Sequence, residues 1–137
     1  MAADFQLSIV APDRSVLDEP VHEVVVPGVE GYFGVLAGHM PFIAALKPGI
    51  VEYSDGKSGT NHVAIGGGFA EVTPGRVTIL ADTAERARDI DLARAERALE
   101  NARKSLRGEE SPTTKEEAVH SLERAMNRIK ASQLSKN

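Results

Sequence analysis

Apolar and polar residues alternate along the first part of the chain, a pattern typical of strands that bury one face. This alternation predicts strands over residues 5–9 and 21–26, the second of which is rich in β-branched side chains. Two hairpins are also predicted, 50–53 with 62–65 around Asp55-Gly56 and 69–72 with 77–80 around Pro74-Gly75. Short strands with turns at such regular intervals predict an antiparallel β-sandwich or a flattened barrel.

The hydrophobic period changes near residue 89, where apolar residues begin to recur at spacings of three and four, as on one helix face. The first predicted helix presents Leu92, Ala95, Leu99, Ala102 and Leu106, and the second presents Ala118, Leu122, Ala125 and Ile129. Gly108 is expected to end the first helix, and a capping box of Thr113 or Thr114 with Glu116 or Glu117 to begin the second. Residues 87–137 are therefore predicted to form an antiparallel helical hairpin after a β-sandwich domain of residues 1–86.

Alanine dominates the face that the two predicted helices share. Alanine contacts bury little apolar area, and burial stabilises by about 25 cal/mol per Å². The hairpin is therefore expected to be only marginally stable alone and to depend on docking against another surface. Two interpretations stay open at this point, a movable helical element and a static helical lid.

Composition narrows the class of protein. The chain has 137 residues, 42% of them hydrophobic, which suffices for a packed core. It has no cysteine, and this excludes disulfides, thiolate zinc sites and a cysteine nucleophile. Aromatic residues make up 4% and the net charge is −4, which argues against a nucleic-acid partner. Neither a secretory signal nor a membrane-spanning run is found, so membrane association is expected only through a partner.

Charge is divided unevenly along the chain. Residues 1–85 hold four basic and eleven acidic residues, a net charge of −7. Residues 86–137 hold twelve basic and nine acidic residues, a net charge of +3. Such asymmetry indicates that the two parts face different surroundings.

Sequence motifs for catalysis or metal binding are absent. The segments 56–58 and 66–68 resemble phosphate-binding loops only weakly, because no helix is predicted after either of them. The glycines of 66–68 are expected to allow a bulge or close backbone approach, and those at positions 28, 31, 34 and 38 to form a tightly turned loop. The four histidines lack paired-ligand spacing and no GxSxG motif occurs, so neither a catalytic residue nor a metal site is predicted.

Charged residues in the helical part form a candidate anion site. Arg124 and Arg128 lie four residues apart on one face of the second helix, and Glu85, Asp91 and Arg94 lie at the beginning of the first. If the hairpin folds back, guanidinium groups from both helices could converge on an anion. The alternative is solvated helix charges with weak pairs worth about 0.3–0.5 kcal/mol each.

Four motifs, in this order, resemble those of the epsilon subunit of F-type ATP synthase. They are PGVEGYFGVLAGHMP at residues 27–41, GGFAEV at 67–72, LADTAE at 80–85 and IDLARA at 90–95. The resemblance covers nearly the whole chain. It implies a β-sandwich followed by a two-helix domain, with a non-catalytic role in the rotary central stalk at the cytoplasmic face of a bacterial plasma membrane.

This resemblance also implies partners. The sandwich would bind the gamma subunit and the ring of c subunits, through Glu30, Gly31, Tyr32, Phe33 and His39. The helical hairpin would act as a brake on ATP hydrolysis. It would lie folded beside the sandwich in the non-inhibiting form, or extend along gamma into the catalytic head, where its basic residues would face acidic segments of the alpha and beta subunits. A small free-energy gap between the two forms would let a ligand or the proton gradient shift their populations.

Some members of this family bind ATP in the folded hairpin, so ATP is expected here as a regulatory ligand and no other cofactor is implied. The matching positions are Glu85, Asp91, Arg94, Arg124 and Arg128. Asn101 departs from the pattern, because ATP-binding relatives carry an arginine there, and this loss is expected to weaken binding by roughly 1–3 kcal/mol. A free-standing ATP-sensing module is the alternative interpretation, although such a module would not need the glycine-rich segment with His39.

Overall fold

The computed structural model describes residues 4–38, 40–56, 59–107 and 115–135. Two compact units divide the chain, Met1–Arg86 and Ala87–Asn137. The first is built from strands and the second from helices. Within the described ranges, no helix is both long enough and apolar enough to span a membrane.

Eight strands form the first unit. They are β1 (Phe5–Ala11), β2 (Arg14–Val21), β3 (Glu23–Gly28), β4 (Gly31–Leu36), β5 (Phe42–Ser54), β6 (Thr60–Thr73), β7 (Arg76–Ala81) and β8 (Ala84–Arg86). Seven of them follow one another in the order β2-β1-β7-β6-β5-β3-β4, and β8 pairs with β6. Every neighbouring pair is antiparallel except β1 with β7, which is parallel. The parallel pair departs from the antiparallel expectation because β1 and β7 are far apart in sequence, where turn signals carry no information.

The sheet folds over one apolar core, which confirms the predicted β-sandwich. All eight strands contribute buried side chains to this core. Leu7, Ile9, Val24, Val51 and Ile79 are among those with no more than a trace of exposed surface. This burial explains why the alternating segments of the sequence become strands, since each has an apolar face to remove from water.

β5 and β6 form the longest ladder, from Phe42 opposite Val72 to Ser54 opposite Thr60. The hairpin expected at Asp55-Gly56 is confirmed, but β6 is one continuous strand where the sequence pattern predicts two. Gly68 has φ of 138°, and a Cβ at this position would collide with the carbonyl oxygen of Leu80. The predicted close backbone approach in the triple-glycine segment is thus confirmed, and it lies within a strand.

β2 and β4 lie at the two ends of the sheet, and the sequence pattern predicts neither. β2 contains charged residues and Pro20, which an edge strand tolerates and an inner strand does not. The expectation of a tightly turned loop at residues 28–38 is wrong for most of this segment, because residues 31–36 form β4. Only the turn before β4 and Gly38 after it, with φ of 86°, fit that description. The two glycines of β4, at positions 31 and 34, pair with Gly28 and Val25 of β3.

Two helices form the second unit, α1 (Leu92–Leu106) and α2 (Lys115–Ser135), preceded by a 3-10 turn at Ala87–Asp89. The Asp91 carboxylate caps α1 by accepting from the backbone N–H of Arg94 at 3.2 Å. The predicted apolar faces are confirmed, with the alanines at 95, 102, 118 and 125 buried and the larger apolar residues between them half-buried. The expected helix end at Gly108 and the capping box at Thr113 and Thr114 lie outside the described residues.

Candidate functional site

The β3–β4 hairpin carries most of the predicted contact residues of the first unit. Gly28 pairs with Gly31, so the connection is a two-residue turn of Val29 and Glu30. Gly31 has φ of 134°, a conformation that disfavours any residue with a side chain. The Val29 N–H donates to the carbonyl of Ala45 at 3.0 Å and ties the turn to β5. The turn therefore presents an exposed Glu30 carboxylate from a fixed backbone.

Tyr32 fastens the hairpin to β5. Its hydroxyl accepts a hydrogen bond from the Ile50 N–H at 3.1 Å. A Cβ at Gly49 would lie 2.7 Å from this hydroxyl and 2.5 Å from Pro27 Cβ, so the tyrosine fits only over a glycine. The Lys47 ammonium lies 5.9 Å from the centroid of the ring, within range of a cation–π interaction. About half of Tyr32 still remains exposed, at 52%, and is available to a partner.

Phe33 contributes to the packing of the hairpin against the core. It packs against the core, and its ring centroid lies 5.6 Å from that of Phe42 with an interplanar angle of 59°. Tilted aromatic pairs of this kind are favourable. Of the predicted contact residues, Glu30, Gly31 and Tyr32 are exposed, Phe33 is half-buried, and His39 lies outside the described residues.

Exposed apolar side chains extend the candidate surface beyond the predicted residues. Met40 is 81% and Ile43 71% exposed, and both follow the hairpin in sequence. Phe69 and Leu80 are also more than half exposed, and the strand register places them opposite each other on β6 and β7. Apolar side chains on the outer face of a sheet mark an interaction surface. The run of apolar residues at 42–46 is the sequence signal that could have indicated this surface, because it leaves neither face of the strand polar.

The second unit holds four of the five residues expected to bind ATP. Asp91 and Arg94 lie at the start of α1, and Arg124 and Arg128 lie one turn apart on α2. The Arg124 guanidinium donates to the Ser121 hydroxyl at 3.2 Å, and both Arg94 and Arg124 are exposed. The guanidinium groups of Arg94 and Arg124 are thus largely solvated, with the forked geometry that binds phosphate oxygens, whereas Arg128 is half-buried.

Glu85 differs from the other four because it lies in β8 of the first unit, paired with Ala64 of β6. β8 is held by side chains as well as by the sheet. The Arg86 guanidinium donates to the Val16 carbonyl through Nε at 3.1 Å and Nη2 at 3.0 Å, and Arg14 donates to the Ala84 carbonyl at 3.1 Å. The sequence pattern does not indicate the role of either arginine, because both act on strands that are distant in sequence.

The strand unit and the helical unit match two successive domains of one class of ATP synthase subunits. Residues 4–87 match the family described as ATP synthase, Delta/Epsilon chain, beta-sandwich domain. Residues 88–133 match the corresponding long alpha-helix domain.

Curated relatives specify the family further. The ATP synthase epsilon chain of Nitratidesulfovibrio vulgaris (strain DP4) is 44% identical over 131 residues, which is 95% of this chain and 96% of the relative. That of Syntrophobacter fumaroxidans is 44% identical over 133 residues, 97% of this chain and 98% of the relative. The chain belongs to the ATP synthase epsilon chain family.

Solved structures show the same architecture. A chain of the Euglena gracilis mitochondrial ATP synthase, determined by cryo-EM as OSCP/F1/c-ring in rotational state 1, superposes with a TM-score of 0.74 and 29% identity. The superposition covers 98% of this chain and 82% of that one. A chain from the central stalk and c ring of the Tetrahymena thermophila mitochondrial enzyme superposes with a TM-score of 0.60 and 12% identity, over 96% and 98% of the two chains, and supports the fold alone.

Proposed function

We propose that the chain is a non-catalytic rotor subunit in the central stalk of an F-type ATP synthase, where it connects the gamma subunit to the ring of c subunits. Family membership supports this role, as does the likeness to a chain from an assembly that contains F1 and a c ring. The complex would hold the chain at the cytoplasmic face of a bacterial plasma membrane, through protein contacts only.

The β3–β4 hairpin is the proposed contact with the c ring and gamma, through Glu30, Gly31, Tyr32, Phe33 and His39. The observation that carries this assignment is the hydrogen bond from the Ile50 N–H to the Tyr32 hydroxyl. A rotor contact must transmit torque without yielding, and a hairpin fastened at both its turn and its tyrosine is pre-organised for that task. The exposed apolar residues beside it supply the area that a lasting contact buries.

The helical unit is the proposed brake on ATP hydrolysis. Its buried side chains are small, so little apolar burial opposes its opening. Its sequence carries a net charge of +3 in residues 86–137, which suits acidic segments of the alpha and beta subunits in an extended form. A ligand that favours the folded form would release the brake.

ATP is the proposed ligand of the folded form, bound through Glu85, Asp91, Arg94, Arg124 and Arg128. Exposed guanidinium groups on both helices support phosphate binding. Asn101 lies on α1 seven residues after Arg94, where an amide replaces the arginine of ATP-binding relatives. The affinity for ATP is therefore expected to be weak.

ATP hydrolysis by the catalytic complex of the same organism, depleted of this subunit, tests the proposal. Either the full chain or a truncation ending near Arg88 is added back, and co-sedimentation verifies binding of both. Slower hydrolysis with the full chain alone would identify the helices as the brake. Equal rates would limit the function to coupling through the sandwich. Failure of both to bind the complex would overturn the rotor role.

A further inference from the structure

The outer edge of β4 carries backbone groups that point away from the sheet. Among the described residues, β4 pairs with β3 alone and ends the sheet. In an antiparallel ladder, residues alternate between pairs that exchange hydrogen bonds and pairs whose N–H and C=O groups point outward. Gly28 and Gly31 flank the two-residue turn and form a hydrogen-bonded pair, so Tyr32 and Gly34 direct their N–H and C=O groups outward. Pro27 opposite Tyr32 fits this alternation, because a proline has no N–H to donate.

The two edges of the sheet are protected very differently. β2 carries Arg14, Asp18 and Glu19 along its length together with Pro20, and Arg86 covers the carbonyl of Val16. Such charges, prolines and side-chain covers prevent pairing with another strand. β4 has the sequence GYFGVL, which contains none of these devices. An unprotected edge on one side and a guarded edge on the other indicate that β4 is kept available for pairing.

Gly34 supports this interpretation because the fold of the chain does not require a glycine there. Its φ lies outside the left-handed region, and a Cβ would meet only Val24 O and Val25 Cγ2, each at 3.9 Å. Glycine in a strand lowers stability relative to residues with side chains. A glycine at an exposed edge also permits close approach of a second backbone.

We propose that β4 accepts an extended segment of a partner subunit as an additional strand, paired through Tyr32 and Gly34. Residues 23–36 hold two acidic residues, Glu23 and Glu30, and no basic one. Lys47 of β5 lies over the Tyr32 ring, but residues 1–85 as a whole have a net charge of −7. The segment that fits is therefore apolar in its middle with lysine or arginine at its ends. A second copy of this chain would bring the same negative charge to the edge. The inference rests on the proposed function, since the partner is a subunit of the ATP synthase.

Hydrogen exchange at single amides tests the pairing in the intact chain, free and bound to the ATP synthase complex depleted of this subunit. In the free chain, the outward amides of Tyr32 and Gly34 exchange faster than the inward amides of Phe33 and Val35. On binding, exchange at Tyr32 and Gly34 is expected to slow by at least about tenfold, as expected for new backbone hydrogen bonds. Unchanged exchange in a chain that binds would overturn the strand pairing and leave the rotor role intact.

Gly34→Pro removes the outward N–H, and Gly34→Ala is its control because it also adds a Cβ but keeps that group. Proline is tolerated on an edge strand with its nitrogen facing solvent, so both variants are expected to fold, as circular dichroism would verify. Gly34→Pro should weaken binding to the complex by about tenfold or more relative to Gly34→Ala. Equal affinities would contradict the proposal. If the protection of the Tyr32 and Gly34 amides in the free chain grows with the chain's concentration, the occupant is a second copy. If the chain does not bind the complex at all, the rotor role is overturned as well.

Discussion

Gly49 and Gly34 are residues of one type with opposite surroundings. The space next to Gly49 is filled by Pro27 and the Tyr32 hydroxyl, whereas a Cβ at Gly34 would meet only ordinary van der Waals neighbours. No single-residue property of the sequence distinguishes the two. The difference arises from the register of β3 with β5, which shifts between Val25 and Gly28 and brings the hairpin over Gly49.

Gly49→Ala is expected to lower the free energy of unfolding by about 1–3 kcal/mol, because its methyl group would displace Tyr32 and Pro27. Gly34→Ala should change it by less than about 0.5 kcal/mol, as at other open surface positions. Urea denaturation followed by circular dichroism measures both. Similar losses in the two variants would contradict the role given to the Tyr32 contact.

At the scale of elements, the sequence predicts what depends on local periodicity. The faces of α1 and α2 are correct because apolar residues recur within a few positions of each other, and the turns at Asp55-Gly56 and Pro74-Gly75 are correct for the same reason. β4 could not be predicted, because its glycines resemble a turn and only pairing with β3 makes them a strand.

For the candidate site residues too, the sequence indicates local features and misses those that depend on pairing between distant strands. The resemblance to a known family names Glu30 and Tyr32, but the contact that holds Tyr32 requires Ile50 of another strand. Likewise, Phe69 and Leu80 are both more than half exposed, but only the pairing of β6 with β7 places them opposite each other. Long-range register is the property that the sequence pattern does not contain.

The helical unit should open more readily than the sandwich. Among the described residues of this unit, the buried positions are alanines and Ser132, which contribute little burial, whereas β5 and β6 bury valine, leucine and isoleucine. Native-state hydrogen exchange is expected to be at least about tenfold faster in α1 than in the β5–β6 ladder. Ala102→Leu should accelerate it further by overfilling the seam, while Ala93→Leu, at an exposed position of the same helix, should not. Equal exchange in α1 and the ladder would show that the alanine seam is not weak.

α1 also offers a test of the proposed ATP site. Asn101 lies two turns after Arg94 on the same helix, so Asn101→Arg would restore a guanidinium on that side. A charged hydrogen bond to phosphate is worth roughly 1.5–3 kcal/mol, so the affinity for ATP should rise by at least about tenfold. Isothermal titration calorimetry would measure this, with Asn101→Gln as the control that lengthens the side chain without adding charge. No heat from either variant at millimolar ATP would exclude the site.

For the whole molecule, the division of charge is the property that links the two units to different roles. Residues 1–85 carry −7 and residues 86–137 carry +3, so a single overall charge of −4 describes neither. An acidic sandwich suits a lasting contact with a basic partner segment. A basic helical unit suits a reversible contact with acidic surfaces, because attraction between exposed charges is adjustable and weakens with salt.

The sandwich contact also includes exposed apolar side chains such as Met40 and Ile43, whose burial is not screened by salt, so salt should weaken the brake more than it weakens assembly. The Debye length falls from about 10 Å at 0.1 M to about 3 Å at 1 M, which screens solvent-exposed charges such as those of Arg94 and Arg124. Inhibition of ATP hydrolysis by the full chain should therefore decline as salt rises, under conditions where co-sedimentation shows that the chain stays bound.

Arg124→Gln with Arg128→Gln should reduce both the inhibition and its salt dependence. Arg76→Gln removes one positive charge from the sandwich and should alter neither, since the exposed ion pair of Arg76 with Asp18 at 3.8 Å lies outside the helices. Inhibition that is insensitive to salt would mean that the helices act by occupying space in the catalytic head, and the net charge of the helical unit would then need another explanation.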